Sequence, residues 1–166
     1  MLQPFRCCSF CGAAFVEGAG WPRRCAACGN TAYRNPLPVA VVLVPVDNGL
    51  LLMRRGVAPR VGELALPGGY VNYGESWQAA GAREVFEETG IVIDPATISD
   101  FLVRSAPDST LLVFGLAAPL SAADLPPFVP SVEASERLVV RAPAELAFPL
   151  HTEAMARFFG HAPDLI

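Results

Sequence analysis

The sequence predicts an α/β or α+β sandwich preceded by a small cysteine-rich module, and three observations support that prediction. The 166 residues are 52% hydrophobic and 17% charged, which is enough apolar material to bury a core. All five cysteines lie before residue 29, whereas apolar runs separated by turn residues fill the chain after residue 35. Those runs include both strand-sized and helix-sized segments, as expected for strands and helices packed in layers.

An extended linker at Asn35-Pro36-Leu37-Pro38 separates the two regions, because residues that precede proline are pushed out of the helical region. We therefore expect one domain over residues 1–35 and a second over residues 36–166. The turn signal Asp47-Asn48-Gly49 predicts a β-hairpin, and Pro67-Gly68-Gly69 predicts a sharp turn between two short strands. The predicted strands are residues 38–46, 50–54, 65–71, 101–104, 110–116 and 137–141.

Two helices are predicted, one central and one near the end of the chain. The central helix covers residues 75–89, with Ser76 near its start and Gly90 directly after its end, where capping residues are favoured. The terminal helix covers residues 151–159, and residues 144–146 are predicted to form a short helical turn.

The central helix carries three carboxylates on one face. Successive helical residues turn by roughly 100°, so Glu88 lies about 40° to one side of Glu84 and Glu87 about 60° to the other. The opposite arc carries four side chains that can pack against a sheet: Ala82, Val85, Phe86 and Thr89.

A solvated acidic face is the ordinary structural explanation for such a helix. Two penalties argue for something more. Glu84 and Glu88 form a like-charge pair one turn apart, and Glu87 and Glu88 lie in the last turn, where the helix dipole disfavours anions. Divalent cations would remove both penalties, and Mg²⁺ and Mn²⁺ prefer carboxylate and carbonyl oxygen.

The spacing around these glutamates is that of a known motif, the Nudix box, and the chain therefore resembles Nudix hydrolases. Leu66-Pro67-Gly68 is also similar to the family's usual entry to the box. The resemblance implies a Nudix-type α-β-α sandwich with a mixed sheet. The matching positions are Gly69, Glu75, Arg83, Glu84, Val85, Glu87, Glu88, Gly90 and Ile91.

The resemblance also implies an activity, which is metal-dependent cleavage of the diphosphate linkage in a nucleotide derivative such as ADP-ribose, FAD or NADH. Arg83 resembles the arginine that braces the carboxylates, and Glu75 resembles the residue that helps to fix the loop. The implied ligands of Mg²⁺ or Mn²⁺ are Glu84, Glu87, Glu88 and the carbonyl of Gly69.

A carboxylate must accept the proton of the attacking water, and in the family that the chain resembles this base lies on the box or on a distant loop. Glu133 and Glu136 form the acidic pair with loop-like flanks. We favour Glu136, which directly precedes the strand predicted at Arg137, where related diphosphatases often have a glutamate. Two exposed loop acids are the structural alternative.

Two C-x2-C pairs before the linker predict a structural Zn²⁺ site with four thiolates. Gly12 and Gly29 follow the second cysteine of each pair, as a tight turn would require. The alternative, a redox dithiol, would need only one such pair. Cys7 belongs to neither pair, and no role is assigned to it. The predicted zinc ligands are Cys8, Cys11, Cys25 and Cys28.

A zinc ribbon joined to a Nudix domain resembles NADH pyrophosphatases and related ADP-ribose or FAD diphosphatases. The chain departs from these relatives in two ways, and the first of them leaves NADH specificity open. No Ser-Gln-Pro-Trp-type motif lies between Ile91 and Leu120, and Leu64 stands where many relatives have tryptophan. Arg54 and Arg55 are candidates for a phosphate clamp, and His151 is expected at the surface or in packing.

Net charge and the length of the apolar runs limit which kinds of partner the chain can bind. A net charge of -4 disfavours non-specific nucleic-acid binding, and no apolar run approaches the roughly 20 residues that span a bilayer. A small nucleotide substrate and a cytoplasmic location are expected, while the oligomeric state stays open, although homodimers are frequent among similar proteins. Two other functions remain: a house-cleaning nucleoside triphosphate pyrophosphohydrolase, and a zinc-ribbon binding module with a Nudix ligand-sensor domain.

Overall fold

The computed structural model describes residues 5–18 and 20–160. The chain divides into two compact units, Met1–Pro36 and Leu37–Ile166. Among the described residues, no helix combines the length and the apolar character needed to span a bilayer.

The first unit is built on two tight turns and a short antiparallel pair of strands, Arg23–Arg24 (β1) and Thr31–Ala32 (β2). In the turns, the N–H of Gly12 donates to the Cys8 carbonyl and that of Gly29 to the Cys25 carbonyl, both at 2.9 Å. Both glycines have a φ of 75°, which explains why glycine follows each cysteine pair.

The second unit contains two β-sheets. One is mixed, with the order β7-β3-β9-β8 and a parallel pairing only between β3 and β9 among its described strands. The other is antiparallel, with the order β10-β5-β4 and β6 paired to β5. The strands are Leu37–Leu43 (β3), Pro45–Val46 (β4), Gly49–Arg55 (β5), Leu64–Ala65 (β6), Gly68–Tyr70 (β7), Ser99–Ser105 (β8), Thr110–Leu116 (β9) and Ala134–Val140 (β10).

Two helices, Trp77–Thr89 (α1) and Pro149–Gly160 (α2), pack against alternate side chains of the central strand β3. Val41 belongs to the apolar cluster that contains Met155 of α2, and its neighbour Val42 belongs to the cluster that contains Val85 of α1. Consecutive residues of a strand face opposite ways, so the mixed sheet lies between the two helices. The predicted α-β-α sandwich is therefore confirmed.

Three local predictions were wrong. Residues 144–146 are not helical; the chain instead extends past β6, and the Ala147 N–H donates to the Leu64 carbonyl at 2.8 Å. Phe86 is 55% exposed and does not pack against the sheet, because it lies at the edge of the buried arc of α1. The last strand begins at Ala134, so Glu136 lies within β10 and pairs with Arg54 of β5.

His151 is buried and packs inside the second unit, which is one of the two positions expected for it from the sequence. Its ring lies 5.7 Å from that of Phe114 and 5.1 Å from that of Phe148, and its Nδ1 has no hydrogen-bond partner among the described residues. Burial, reinforced by the charge of Arg55, lowers the pKa of His151 to about 3.

Replacing His151 with phenylalanine should make the free energy of unfolding less sensitive to acid. Below the unfolded-state pKa of about 6.5, only the unfolded chain binds this proton, so stability falls as the pH drops towards the folded-state value. Between about pH 7.5 and pH 5, the original chain should lose about 2 kcal/mol relative to the variant. Urea unfolding at both pH values measures this difference, and an equal loss in both proteins would contradict it.

Candidate active site

Helix α1 is held at both ends by local hydrogen bonds. At its start, the Ser76 hydroxyl accepts from the Ala79 N–H at 3.1 Å. At its end, Gly90 has a left-handed conformation with φ 74°, and its N–H donates to the Phe86 carbonyl at 2.8 Å. Both predicted caps are confirmed, and they place the glutamates in the last two turns of a helix with defined ends.

Arg83 links three glutamates to the loop that precedes the helix. Its Nη1 donates to Glu84 at 2.6 Å and to Glu87 at 3.0 Å. Its Nη2 donates to Glu75 at 2.9 Å and to the Tyr70 carbonyl at 3.0 Å. These bonds raise the pKa of Arg83, and the bond to Glu75 contributes most to that increase. The guanidinium therefore stays charged.

Glu75 closes the loop that leads into the helix. It accepts from the Asn72 N–H at 2.6 Å, and its bonds to Arg83 lower its pKa. The loop from β7 to α1 is thus tied to the same guanidinium as the carboxylates of the helix.

Glu84 and Glu88 are buried acids, 9% and 6% exposed. Burial raises the pKa of both, and that of Glu88 reaches about 8, although Glu88 accepts a hydrogen bond from the Gly68 N–H at 2.9 Å. Neighbouring carboxylates raise these pKa values further, first Glu87 and then Glu133 for Glu84, and first Glu84 and then Glu133 for Glu88. Removal from water is therefore the main reason why the ionised forms of these two carboxylates are disfavoured.

The two glycines of β7 allow this close packing. A Cβ on Gly69 would lie 2.4 Å from Oε1 of Glu84, and a Cβ on Gly68 would lie 2.4 Å from the carbonyl oxygen of Ala40 in β3. The backbone of β7 thus lies directly against a carboxylate on one side and a strand on the other.

Alanine at these two positions should have different effects. Gly69→Ala must displace the Glu84 carboxylate, so we expect turnover to fall about 10²-fold with little change in stability. Gly68→Ala meets backbone that cannot move aside, so we expect about 1–3 kcal/mol of destabilisation. Gly160→Ala is the control, because a Cβ there meets nothing within 4 Å among the described residues. Thermal unfolding and turnover of the three variants test this, and identical behaviour of the two β7 variants would contradict it.

The three helix carboxylates do not meet at a single point. Among the described residues, only the four cysteines form a group of three or more ligand atoms within 4.8 Å of one another. Glu84 and Glu87 share Arg83, while Glu88 turns towards the backbone of β7. Without a cation, each carboxylate therefore accepts from an N–H donor of the protein, and the assignment of Glu84, Glu87 and Glu88 to divalent cations stays a prediction.

The carboxylates of Glu84, Glu87 and Glu88 are nevertheless suitable ligands for a divalent cation. They offer hard oxygen ligands, which Mg²⁺ and Mn²⁺ prefer. Burial already raises the pKa of Glu84 and Glu88, and a nearby cation would stabilise their ionised forms.

The two acids considered as general base occupy different surroundings. Glu136 accepts from Nε of Arg54 at 2.7 Å. Glu133 precedes β10, its carbonyl accepts from the Gly56 N–H at 2.7 Å, and its charge acts on Glu84 and Glu88. Glu133 is thus the acid of the pair whose charge raises the pKa of the helix carboxylates, while the role of Glu136 as general base stays a prediction.

The arginines considered as a phosphate clamp are both engaged within the protein. Arg54 also donates to the Gly62 carbonyl at 2.8 Å. Arg55 donates to the Pro59 carbonyl at 2.9 Å, and its guanidinium lies 5.0 Å from the ring centre of Phe148. Their role towards phosphate stays a prediction.

The four cysteines of the first unit form a compact set of ligands. The sulfur of Cys8 lies 3.8 Å from that of Cys28, and the sulfur of Cys11 lies 3.6 Å from that of Cys25. A tetrahedral site with Zn–S bonds of about 2.3 Å has edges of about 3.8 Å, so the spacing fits such an ion. The Cys28 N–H lowers the pKa of Cys25, which favours a thiolate there, whereas the pKa of Cys11 is raised by the neighbouring thiols, Cys28 first.

Comparisons with known proteins agree with this description. An ADP-ribose pyrophosphatase from Methanocaldococcus jannaschii is 40% identical over 76 residues, which cover 46% of this chain and 44% of that protein. The NAD-capped RNA hydrolase NudC from Edwardsiella ictaluri is 33% identical over 93 residues, which cover 55% of this chain and 36% of that protein. The chain thus matches less than half the length of both relatives.

A solved structure resembles nearly the whole chain. The crystal structure of a NUDIX hydrolase from Nitrosomonas europaea aligns with a TM-score of 0.76 and 27% identity, covering 95% of this chain and 92% of that one. The family description "NUDIX domain" matches residues 35–158. With the complete box on α1 and the mixed sheet between two helices, these matches show that the chain belongs to the Nudix hydrolase family.

Proposed function

We propose that this protein hydrolyses the diphosphate linkage of a nucleoside diphosphate derivative, with ADP-ribose, FAD and NADH as the leading substrates. The observation that carries the proposal is the complete box on a capped helix, with Glu84 and Glu88 buried beside the glycine backbone of β7. The relative named as an ADP-ribose pyrophosphatase supports this substrate class.

We assign the catalytic cation, Mg²⁺ or Mn²⁺, to Glu84, Glu87, Glu88 and the Gly69 carbonyl. When bound there, it would screen the charge of the diphosphate and make a coordinated water more acidic. Arg83 holds two of these glutamates and Glu75 in place, so we assign it the role of orienting the ligands.

Glu133 is our choice for the proton acceptor. Its charge acts on Glu84 and Glu88, whereas Glu136 lies within β10 and its carboxylate pairs with Arg54. A general base must lie near the water beside the bound cation, and the influence of Glu133 on the proposed cation ligands is our reason for choosing it.

For the first unit we propose a structural Zn²⁺ bound by Cys8, Cys11, Cys25 and Cys28. A unit of this size with a two-residue pair of strands has little apolar core, so metal binding would supply most of its folding free energy. Cys7 lies outside this group and is exposed.

A substrate panel tests the proposal. The protein would be incubated with ADP-ribose, FAD, NADH and the nucleoside triphosphates, in Mg²⁺ and in Mn²⁺, and the products separated by ion-exchange chromatography. We expect AMP with a second phosphomonoester from at least one dinucleotide. Release of pyrophosphate from triphosphates alone would support the house-cleaning alternative. Binding without turnover would support the ligand sensor.

A second candidate substrate is RNA that carries a dinucleotide at its 5′ end, as the relatives named NAD-capped RNA hydrolase suggest. The observation that favours this substrate is the uneven distribution of charged residues between the two units. Residues 1–36 contain four arginines and one glutamate, whereas residues 37–166 contain eight arginines and fifteen acidic residues. In the first unit, the guanidinium of Arg23 lies 4.7 Å from the ring of Trp21, and that of Arg34 lies 4.8 Å from the ring of Phe5. Arginines beside aromatic rings are typical of surfaces that bind single strands.

Salt dependence separates capped RNA from free NAD. If the first unit binds the RNA backbone, kcat/KM for capped RNA should fall steeply with salt, and that for NAD should not. Arg24→Gln and Arg34→Gln should weaken only the RNA reaction, with Arg60→Gln in the second unit as the control. Equal salt dependence for both substrates would reject this candidate.

A further inference from the structure

Arg137 joins three separate parts of the second unit. It lies on β10, and its Nη1 donates to the carbonyl of Thr89, the last residue of α1, at 2.8 Å. Its Nη2 donates to the Pro126 carbonyl at 2.5 Å, and its guanidinium lies 5.6 Å from the ring centre of Phe128. One side chain thus connects the end of the carboxylate helix, the segment before β10 and β10 itself.

The contact with Thr89 places a positive charge at the end of α1, where two glutamates are disfavoured by the helix dipole. Glu87 and Glu88 lie in the last turn of α1, where the helix dipole disfavours anions, and α1 has no basic residue of its own in that turn. Arg137 supplies the missing cation from a strand 48 residues further along the chain.

The contacts with Pro126 and Phe128 act on a different element, the segment of residues 126–133 that ends at Glu133. The far end of this segment is held by the bond from the Gly56 N–H to the Glu133 carbonyl. Arg137 holds the near end against α1. The segment is therefore held at both of its ends, and Glu133 lies at the far end, directly before the strand that carries Arg137.

We propose that Arg137 is a positioning residue, which fixes Glu133 relative to the carboxylate end of α1. This inference rests on the proposed function, because it concerns the placement of the proposed proton acceptor. Lysine would keep the charge but could not present the planar fork that reaches the Thr89 and Pro126 carbonyls together.

The test compares Arg137→Met and Arg137→Lys with Arg141→Met. Arg141 follows the same strand, but its Nε donates to Asn48 at 2.8 Å, so it is a matched control. We expect kcat to fall about 10–100-fold in Arg137→Met with KM nearly unchanged, because a misplaced base affects the transition state more than substrate binding. Arg137→Lys should recover part of kcat, and Arg141→Met should match the original chain.

Hydrogen exchange of residues 126–133 supplies a second measurement that does not depend on turnover. We expect faster exchange there in Arg137→Met than in Arg141→Met. Should Arg137→Met fail to fold, Arg137→Lys carries the same two measurements. Original-level kcat and unchanged exchange in the Arg137 variants would overturn the inference while the proposed function stands. Absence of turnover in the original chain would instead remove the proposed function, and exchange would still decide whether Arg137 holds the segment.

Discussion

Replacing Glu87 with glutamine is expected to lower kcat about 10³-fold, because loss of one metal ligand removes several kcal/mol of charge stabilisation from the transition state. The fold should survive, since the Glu87 side chain is 46% exposed and its described ion pair is with Arg83 alone. Steady-state rates over a range of Mg²⁺ concentrations measure both the loss of turnover and any shift in metal activation.

Glu153→Gln is the matched control for this substitution. Glu153 also lies on a helix, its side chain is 43% exposed, and it pairs with Arg104 as Glu87 pairs with Arg83. Its variant should keep the original rate. If Glu87→Gln also keeps that rate, Glu87 is not a catalytic metal ligand. If the original chain binds nucleotide without turnover and the variant binds equally well, the protein is a sensor.

Replacing Cys25 with serine, or removing the metal with a chelator, is expected to unfold residues 5–36. Cys25 is buried, and its sulfur belongs to the compact group of four. Structural zinc in small modules contributes an apparent binding free energy of about 10–16 kcal/mol, which is then also the folding free energy. Hydrogen exchange should show loss of protection in this unit, while the second unit, which has its own apolar clusters, keeps its protection.

Cys7→Ser is the control for the zinc site. Cys7 is exposed and lies outside the group of four sulfurs, so its replacement should leave one zinc ion per chain and normal protection. Full zinc content and unchanged exchange in Cys25→Ser would mean that the first unit does not depend on this metal site.

Features determined by short stretches of the chain could be predicted from the sequence. The caps of α1 at Ser76 and Gly90 were predicted correctly, as were the turns at Gly12 and Gly29. Each depends on hydrogen bonds or dihedral angles within about five residues, where residue type alone restricts the conformation. The box spacing belongs to the same class, because it sets which side chains share a face of one helix.

Features determined by strand pairing required the tertiary structure. The early start of β10 pairs Glu136 with Arg54, whereas Glu133 lies just outside the strand, so two acids that look alike in the sequence have different surroundings. Polar residues there give no apolar alternation to mark a strand, so its start follows from its partner β5.

The contacts of Arg137 are the clearest example of a feature that could not be predicted from the sequence. Its contacts join residues that are distant along the chain, and no local pattern distinguishes it from the other eleven arginines. The sequence by itself determined the family, the carboxylate helix and the cysteine ligands, because these are local spacings. Only the tertiary structure decided which distant side chains meet that helix, because such contacts depend on register and packing across the whole sheet.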